Sequence, residues 1–118
     1  VSLVLPELKG KLDGTAIRVP TADVSLIDFS FTTTQKTSRE EINHLMNQAS
    51  NGALKGILSV CNEPLVSIDF VHNPSSSIFD LTQTQVVEGN FCRVLAWYDN
   101  EWGYANRTVE LVKLVGAA

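Results

Sequence analysis

Between Leu54 and Tyr98 the chain passes from one short extended run to the next, with turn residues between them and no helix-period stretch. Strands that follow strands through short turns pair mostly antiparallel, because a parallel return needs a long crossover. A turn from Leu54 leads into a short strand ending at Cys61. Leu65 to His72 is rich in β-branched and aromatic residues and stops at Asn73-Pro74, which predicts a strand. Ser76 to Asp80 and Thr82 to Val87 read as short extended segments. Glu88-Gly89-Asn90 is a turn, and Phe91 to Tyr98 is a further strand.

The earlier part of the chain carries two more strand signals. Thr15 to Val19 is a short strand stopped by Pro20, and Val24 to Thr34 is a longer one. In the longer strand Ser25, Ile27, Phe29 and Phe31 share one face, while Val24, Leu26, Asp28 and Ser30 share the other. The first face is the more apolar and is expected to meet the core. Ser38 to Asn51 is the best helix signal. Thr37 or Ser38 can cap it, with Glu40 or Glu41 three residues on, as in a capping box. Ile42, Leu45, Met46 and Ala49 make one apolar stripe, Gly52 is a stop signal, and the stripe is expected to lie on Ile27, Phe29 and Phe31. Glu101 to Val115 reads as a last helix, with Tyr104, Thr108, Leu111 and Val115 on one side. The predicted class is α+β: a mainly antiparallel sheet with helices on one face.

Composition narrows the function. A chain of 118 residues with 44% hydrophobic and 19% charged residues can build a core. A net charge of -4 argues against nucleic acid or an anionic membrane as partner. No apolar run approaches the ~18 residues of a membrane helix. Two cysteines, Cys61 and Cys92, are too few for a disulfide framework and are expected to be reduced, in a cytoplasmic protein without a secretory leader. The chain opens on Val1 inside the apolar run VSLVLPEL, which reads as a cut through a longer protein.

Motif chemistry is sparse. There is no GxGxxG or P-loop to cradle phosphates, and no HExxH or CxxC pair to bind a metal. A Cys61–His72 dyad is conceivable, but buried free cysteines usually act as small hydrophobes. His44 falls on the helix face opposite the apolar stripe. Arg18 ends a predicted strand, so its guanidinium is either a surface or structural ion-pair group or a binder of phosphate or carboxylate. Asn100 stands between the last strand and the last helix, where an asparagine either caps the helix or aims its amide at a ligand. Tyr104, one turn into that helix, is either a packing aromatic or a ligand contact.

Four stretches add a resemblance. They are LPELKGKLDGTAIRVPTADVSLID at residues 5 to 28, GALKGIL at 52 to 58, SIDFVHNPSSSIFD at 67 to 80 and WYDNEWGYANR at 97 to 107. In this order and spacing they closely resemble the C-terminal part of the phosphorylating glyceraldehyde-3-phosphate dehydrogenases, across essentially the whole chain. The resemblance implies a two-part subunit. A Rossmann domain binds NAD, and a catalytic domain carries a cysteine nucleophile and a histidine base. It further implies a cytoplasmic homotetramer of glycolysis that converts glyceraldehyde 3-phosphate, NAD and phosphate to 1,3-bisphosphoglycerate and NADH. Residues 1–100 would be the later portion of the catalytic domain, and 101–118 a helix packing on the Rossmann domain.

By the same resemblance Arg18 matches the arginine that binds substrate phosphate. Asn100 matches the asparagine that hydrogen-bonds the nicotinamide carboxamide, and Tyr104 a residue near the same pocket. Ala105 stands where many members have serine. The family's Ser-Cys-Thr-Thr-Asn motif and its histidine are not in this sequence, and Cys61 and Cys92 stand in the wrong contexts to replace the nucleophile. The chain alone is therefore expected to be inactive. Two other readings stay open. One is the sister erythrose-4-phosphate dehydrogenase. The other is a non-catalytic interaction domain of the same fold.

Overall fold

The computed structural model describes residues 3–117. It holds five strands and two α-helices: β1 (Ser25–Thr32), α1 (Arg39–Asn51), β2 (Leu58–Cys61), β3 (Ser77–Asp80), β4 (Gln85–Val87), β5 (Phe91–Tyr98) and α2 (Trp102–Gly116). The strands form one sheet in the order β1-β5-β3-β2. β5 organises it. One edge of β5 pairs antiparallel with β1 along its whole length, from Thr32 opposite Phe91 to Ser25 opposite Tyr98. The other edge is shared: β4 takes Phe91 to Arg93, and β3 takes Ala96 and Trp97, both antiparallel. Only β2 and β3 run parallel, through the connection between Cys61 and Ser77. The α+β class and the mainly antiparallel sheet are as the sequence predicts.

Local chemistry explains several boundaries. Ser38 Oγ accepts the Glu41 N–H at 3.1 Å, and Thr37 Oγ1 donates to the Glu41 carboxylate at 2.9 Å, so α1 starts where its capping residues stand. Glu88 and Gly89 both have positive φ, 52° and 79°, the backbone of a tight hairpin turn between β4 and β5.

Three expectations fail, each for a physical reason. Thr15–Val19 is not a strand: residues 11–20 are exposed throughout, and no strand among the described residues lies beside them. A lone extended segment has nothing to satisfy its ladder. Leu65–His72 is not a strand either, because Ser67–Phe70 forms a 3-10 turn. There Asp69 folds back so that its carboxylate accepts the Val66 N–H at 2.9 Å, while the Asp69 N–H donates to the Val66 carbonyl at 3.0 Å. Such side-chain bonding to nearby backbone outcompetes a ladder. The turn drives Phe70 into the interior.

The third failure concerns α1. It packs beside β2 and not along β1. β1 lies three strand spacings from β2, or about 14 Å, more than one helix diameter. Asn43 anchors the helix instead: its amide donates to the Leu81 carbonyl at 2.9 Å and accepts from Thr84 Oγ1 at 2.6 Å. The apolar stripe is only half-buried, and Leu45 is exposed. Phe29 and Phe31 do share a face, with rings stacked at 5.1 Å, but Ile27 stays 51% and Phe29 39% exposed.

The interior is small. Val24, Cys61, Phe70 and Ile78 form its centre, with Leu65, Val71 and Trp97 packed around them. The Trp97 ring stacks on Phe70 at 5.6 Å, and its Nε1 donates to Asp80 at 3.3 Å. The accessible surface is 8847 Å², against about 6300 Å² for a compact monomer of this mass. Much of the surplus is apolar: along α2, Val109, Leu111, Val112, Leu114 and Val115 are all more than half exposed.

Candidate functional site

The end of β5 carries a buried carboxylate with three backbone hydrogen bonds. Asp99, the residue after the strand, is 1% exposed. Its Oδ1 accepts the N–H groups of Glu101 at 3.0 Å and Trp102 at 2.7 Å. Its Oδ2 accepts the N–H of His72 at 2.8 Å. Burial disfavours the charged carboxylate, but the Trp102, His72 and Glu101 N–H groups, together with a hydrogen bond to the Asp23 side chain, outweigh it and hold the Asp99 pKa below the ordinary carboxylate range. The charge also sits at the start of α2, where the helix dipole favours an anion.

Asp99 therefore takes the capping role that the sequence left open for Asn100. The residue that opens α2, Glu101, has no side-chain cap of its own. Asn100 is exposed, and its only side-chain hydrogen bond among the described residues is a long one, 3.4 Å from Ser25 Oγ to Asn100 Oδ1.

Asn100 and Tyr104 come together. They line one cavity of about 290 Å³ with Ser76, Tyr98, Asp99, Gly103 and Arg107. Gly103 is buried there, and a Cβ on it would lie 3.0 Å from the Ser75 carbonyl oxygen, so glycine lets α2 sit against the chain leading into β3. Arg107 locks the second turn of α2, donating to the Gly56 carbonyl at 3.0 Å and pairing with Glu110 at 2.7 Å. Tyr104 is 74% exposed at the rim. The cavity presents the Asn100 amide and two tyrosines beside the Ser76 hydroxyl, the Asp99 carboxylate and the Arg107 guanidinium.

Sequence reasoning missed Asp99, Ser76 and Arg107 as parts of this place. Asp99 carried a signal, since an aspartate just before a helix is a preferred partner for its first N–H groups. Nothing local pointed to Ser76, which only the tertiary fold brings near.

Arg18 is not in this cavity. It lies in the exposed segment before β1 and makes no ion pair among the described residues, so the strand that was to give it a rigid base is missing. The Cys61–His72 dyad does not form. Among the described residues Cys61 Sγ hydrogen-bonds only with the backbone of Glu63, and the His72 ring lies against Trp102 at 4.8 Å. Cys92 is fully buried in β5. His44 is exposed on α1, as predicted. Among the described residues no group of three His, Cys, Asp or Glu is placed to hold a metal ion, and no helix is long and apolar enough to cross a membrane.

Two non-glycine residues near Asp99 hold left-handed backbone. His72, whose N–H it accepts, has φ 64°, and Val24, just before β1, has φ 67°. For a β-branched residue such as valine that conformation is a genuine outlier.

Known proteins match this chain closely. The family described as glyceraldehyde 3-phosphate dehydrogenase, C-terminal domain, matches residues 1–100. Glyceraldehyde-3-phosphate dehydrogenase of Xanthobacter flavus is 57% identical over 98% of this chain and 35% of the relative. That of Cereibacter sphaeroides is 51% identical over the same shares. That of Zymomonas mobilis subsp. mobilis is 55% identical over 93% of this chain and 33% of the relative. The chain thus spans about a third of the length of the curated relatives it matches. With the family model matching residues 1–100 and identities of 51–57% across nearly the whole chain, the chain belongs to the glyceraldehyde 3-phosphate dehydrogenase family, whose C-terminal domain it represents.

Proposed function

We propose that this chain is the later part of the catalytic domain of an NAD-dependent, phosphorylating glyceraldehyde-3-phosphate dehydrogenase of glycolysis. The observation that carries the reading is the 57% identity to a relative of that name over nearly the whole chain. The reaction is the conversion of glyceraldehyde 3-phosphate, NAD and phosphate to 1,3-bisphosphoglycerate and NADH. The chain by itself is inactive in this reading, since the nucleophile and base belong to sequence it does not contain.

Each named residue then has a role. Arg18 binds the substrate phosphate through two parallel N–H donors, a geometry suited to a dianion. Its exposure here is consistent with a pocket completed by other segments. Asn100 holds the nicotinamide carboxamide, and Tyr104 borders the same ring. Support comes from the cavity of about 290 Å³, where the Asn100 amide and two tyrosines offer polar and aromatic groups to a flat amide-bearing ring. NAD supplies the hydride acceptor. What these residues contribute is orientation of the ring against the substrate.

The exposed apolar residues of α2 have a place in the same reading. Residues 101–118 pack on the Rossmann domain and cover Leu111, Val115 and their neighbours. The whole enzyme is a cytoplasmic homotetramer.

The test is an assay of the full-length protein containing this sequence, with glyceraldehyde 3-phosphate, NAD and phosphate, following NADH. Formation of NADH with all three, and none from the purified 118-residue chain, is the expected result. Faster turnover of erythrose 4-phosphate would move the assignment to the sister enzyme. No turnover of either aldehyde would leave the interaction-domain reading.

A further inference from the structure

Asn100 is placed in the cavity by something other than its own side chain. Its amide is exposed and has one long hydrogen bond, too weak to fix an orientation. Its backbone is a different matter. On one side Tyr98 is paired with Ser25 across the sheet. On the other side Glu101 and Trp102 are bound to the Asp99 carboxylate. The same carboxylate reaches across to His72, in the loop that follows the 3-10 turn.

Capping a helix needs only the bonds to Glu101 and Trp102, and a serine hydroxyl can make them. The third bond exceeds that need. It comes from a residue held at φ 64°, in the left-handed region that non-glycine residues seldom adopt. One buried carboxylate thus joins three segments: the end of β5, the start of α2 and the loop at His72. Asn100 lies between the first two.

We propose that Asp99 is a positioning residue that holds the Asn100 amide where it meets the nicotinamide, by tying the β5–α2 junction to the His72 loop. This rests on the functional reading above. Asp99 itself touches no ligand in this role; it acts through Asn100.

The test uses Asp99→Ser and Asp99→Asn in the full-length enzyme. Serine keeps a helix cap and drops the bond to His72, and asparagine is isosteric. Both are made with and without Asn100→Ala. The proposal expects KM for NAD to rise on the order of 10-fold to 100-fold in the Asp99 variants. KM for glyceraldehyde 3-phosphate stays near wild type. In the Asn100→Ala background the same Asp99 change adds little, because both act through one contact. An unchanged KM for NAD in a folded Asp99 variant overturns the proposal. So does an equal rise with and without Asn100. Failure of both variants to fold would make Asp99 a structural staple only, and overturns it as well. A wild-type protein that forms no NADH removes the functional reading, and this proposal with it.

Discussion

The β5–α2 junction and the segment from Lys9 to Thr21 are built in opposite ways. At the junction a buried carboxylate takes three backbone N–H groups, a glycine lets a helix approach within contact of the Ser75 carbonyl, and an arginine locks the next turn. In the segment around Arg18 every residue from 11 to 20 is exposed, and no sheet partner lies alongside. One proposed ligand contact is set by bonds inside the chain. The other depends on surroundings that these residues do not supply. A site can therefore be half preorganised.

The largest effect should follow from breaking the junction. Asp99→Ala leaves three backbone donors without an acceptor in a buried place, so it should cost about 3 kcal/mol or more of stability, read from chemical denaturation midpoints. The pH dependence carries the same sign. The folded-state pKa of Asp99 is lowered, so its contribution is fully present above the ordinary carboxylate pKa and is lost as pH falls through the folded value. Wild type should lose stability steadily on acidification below about pH 4, and Asp99→Asn should lose less. Equal acid sensitivity in the two proteins would remove Asp99 as the group responsible.

Gly103→Ala comes next. Its Cβ would meet backbone at 3.0 Å, and overpacking of this kind costs about 1–3 kcal/mol. The first turn of α2 should shift, visible as faster amide exchange at Trp102 to Arg107. Undisturbed exchange would mean that the approach to Ser75 is slack.

Arg18→Leu is the opposite case. In the isolated chain its stability should stay within about 0.5 kcal/mol of wild type, as for an ordinary surface site. In the full-length enzyme kcat/KM for glyceraldehyde 3-phosphate should fall about 10-fold to 100-fold, the worth of a charge-assisted double hydrogen bond. Unchanged kinetics would take Arg18 out of the phosphate site.

The smallest effect is expected from Arg93→Ala. Arg93 makes a bidentate pair with Asp28 at 2.8 and 2.6 Å, and these hydrogen bonds lower the Asp28 pKa. Both side chains are about half exposed, so solvent and salt screen the pair. A barely moved midpoint that merges with wild type in high salt is the expected outcome. A large loss would show that this edge of the sheet is held electrostatically.

How much of this was legible beforehand depended on range. The α1 cap, expected at Thr37 or Ser38 and found at Ser38, the turn at Glu88-Gly89 and the full extent of β5 are legible in the sequence, since each is decided by residues adjacent in it. At Leu65–His72 one aspartate overrides the β-branched content. Asp69 needed only a backbone amide three residues back to make a turn instead. For α1 the strands nearest in sequence are not neighbours in the sheet. β5, the last strand in the chain, inserts beside β1, and β3 follows it, so β2 and its helix end at the far edge.

The sequence by itself determined the family and the α+β class, because motif spacing and local periodicity are properties of the linear chain, while Arg18, Asn100 and Tyr104 are candidates only by what the family resemblance implies. Tertiary structure alone decided that Asp99, and not Asn100, closes the start of α2. The reason is physical: a buried carboxylate needs several donors at once, and one of them, the His72 N–H, comes from a distant loop that only folding brings within 2.8 Å. Freed from capping, Asn100 is left with its amide in the cavity shared with Tyr104.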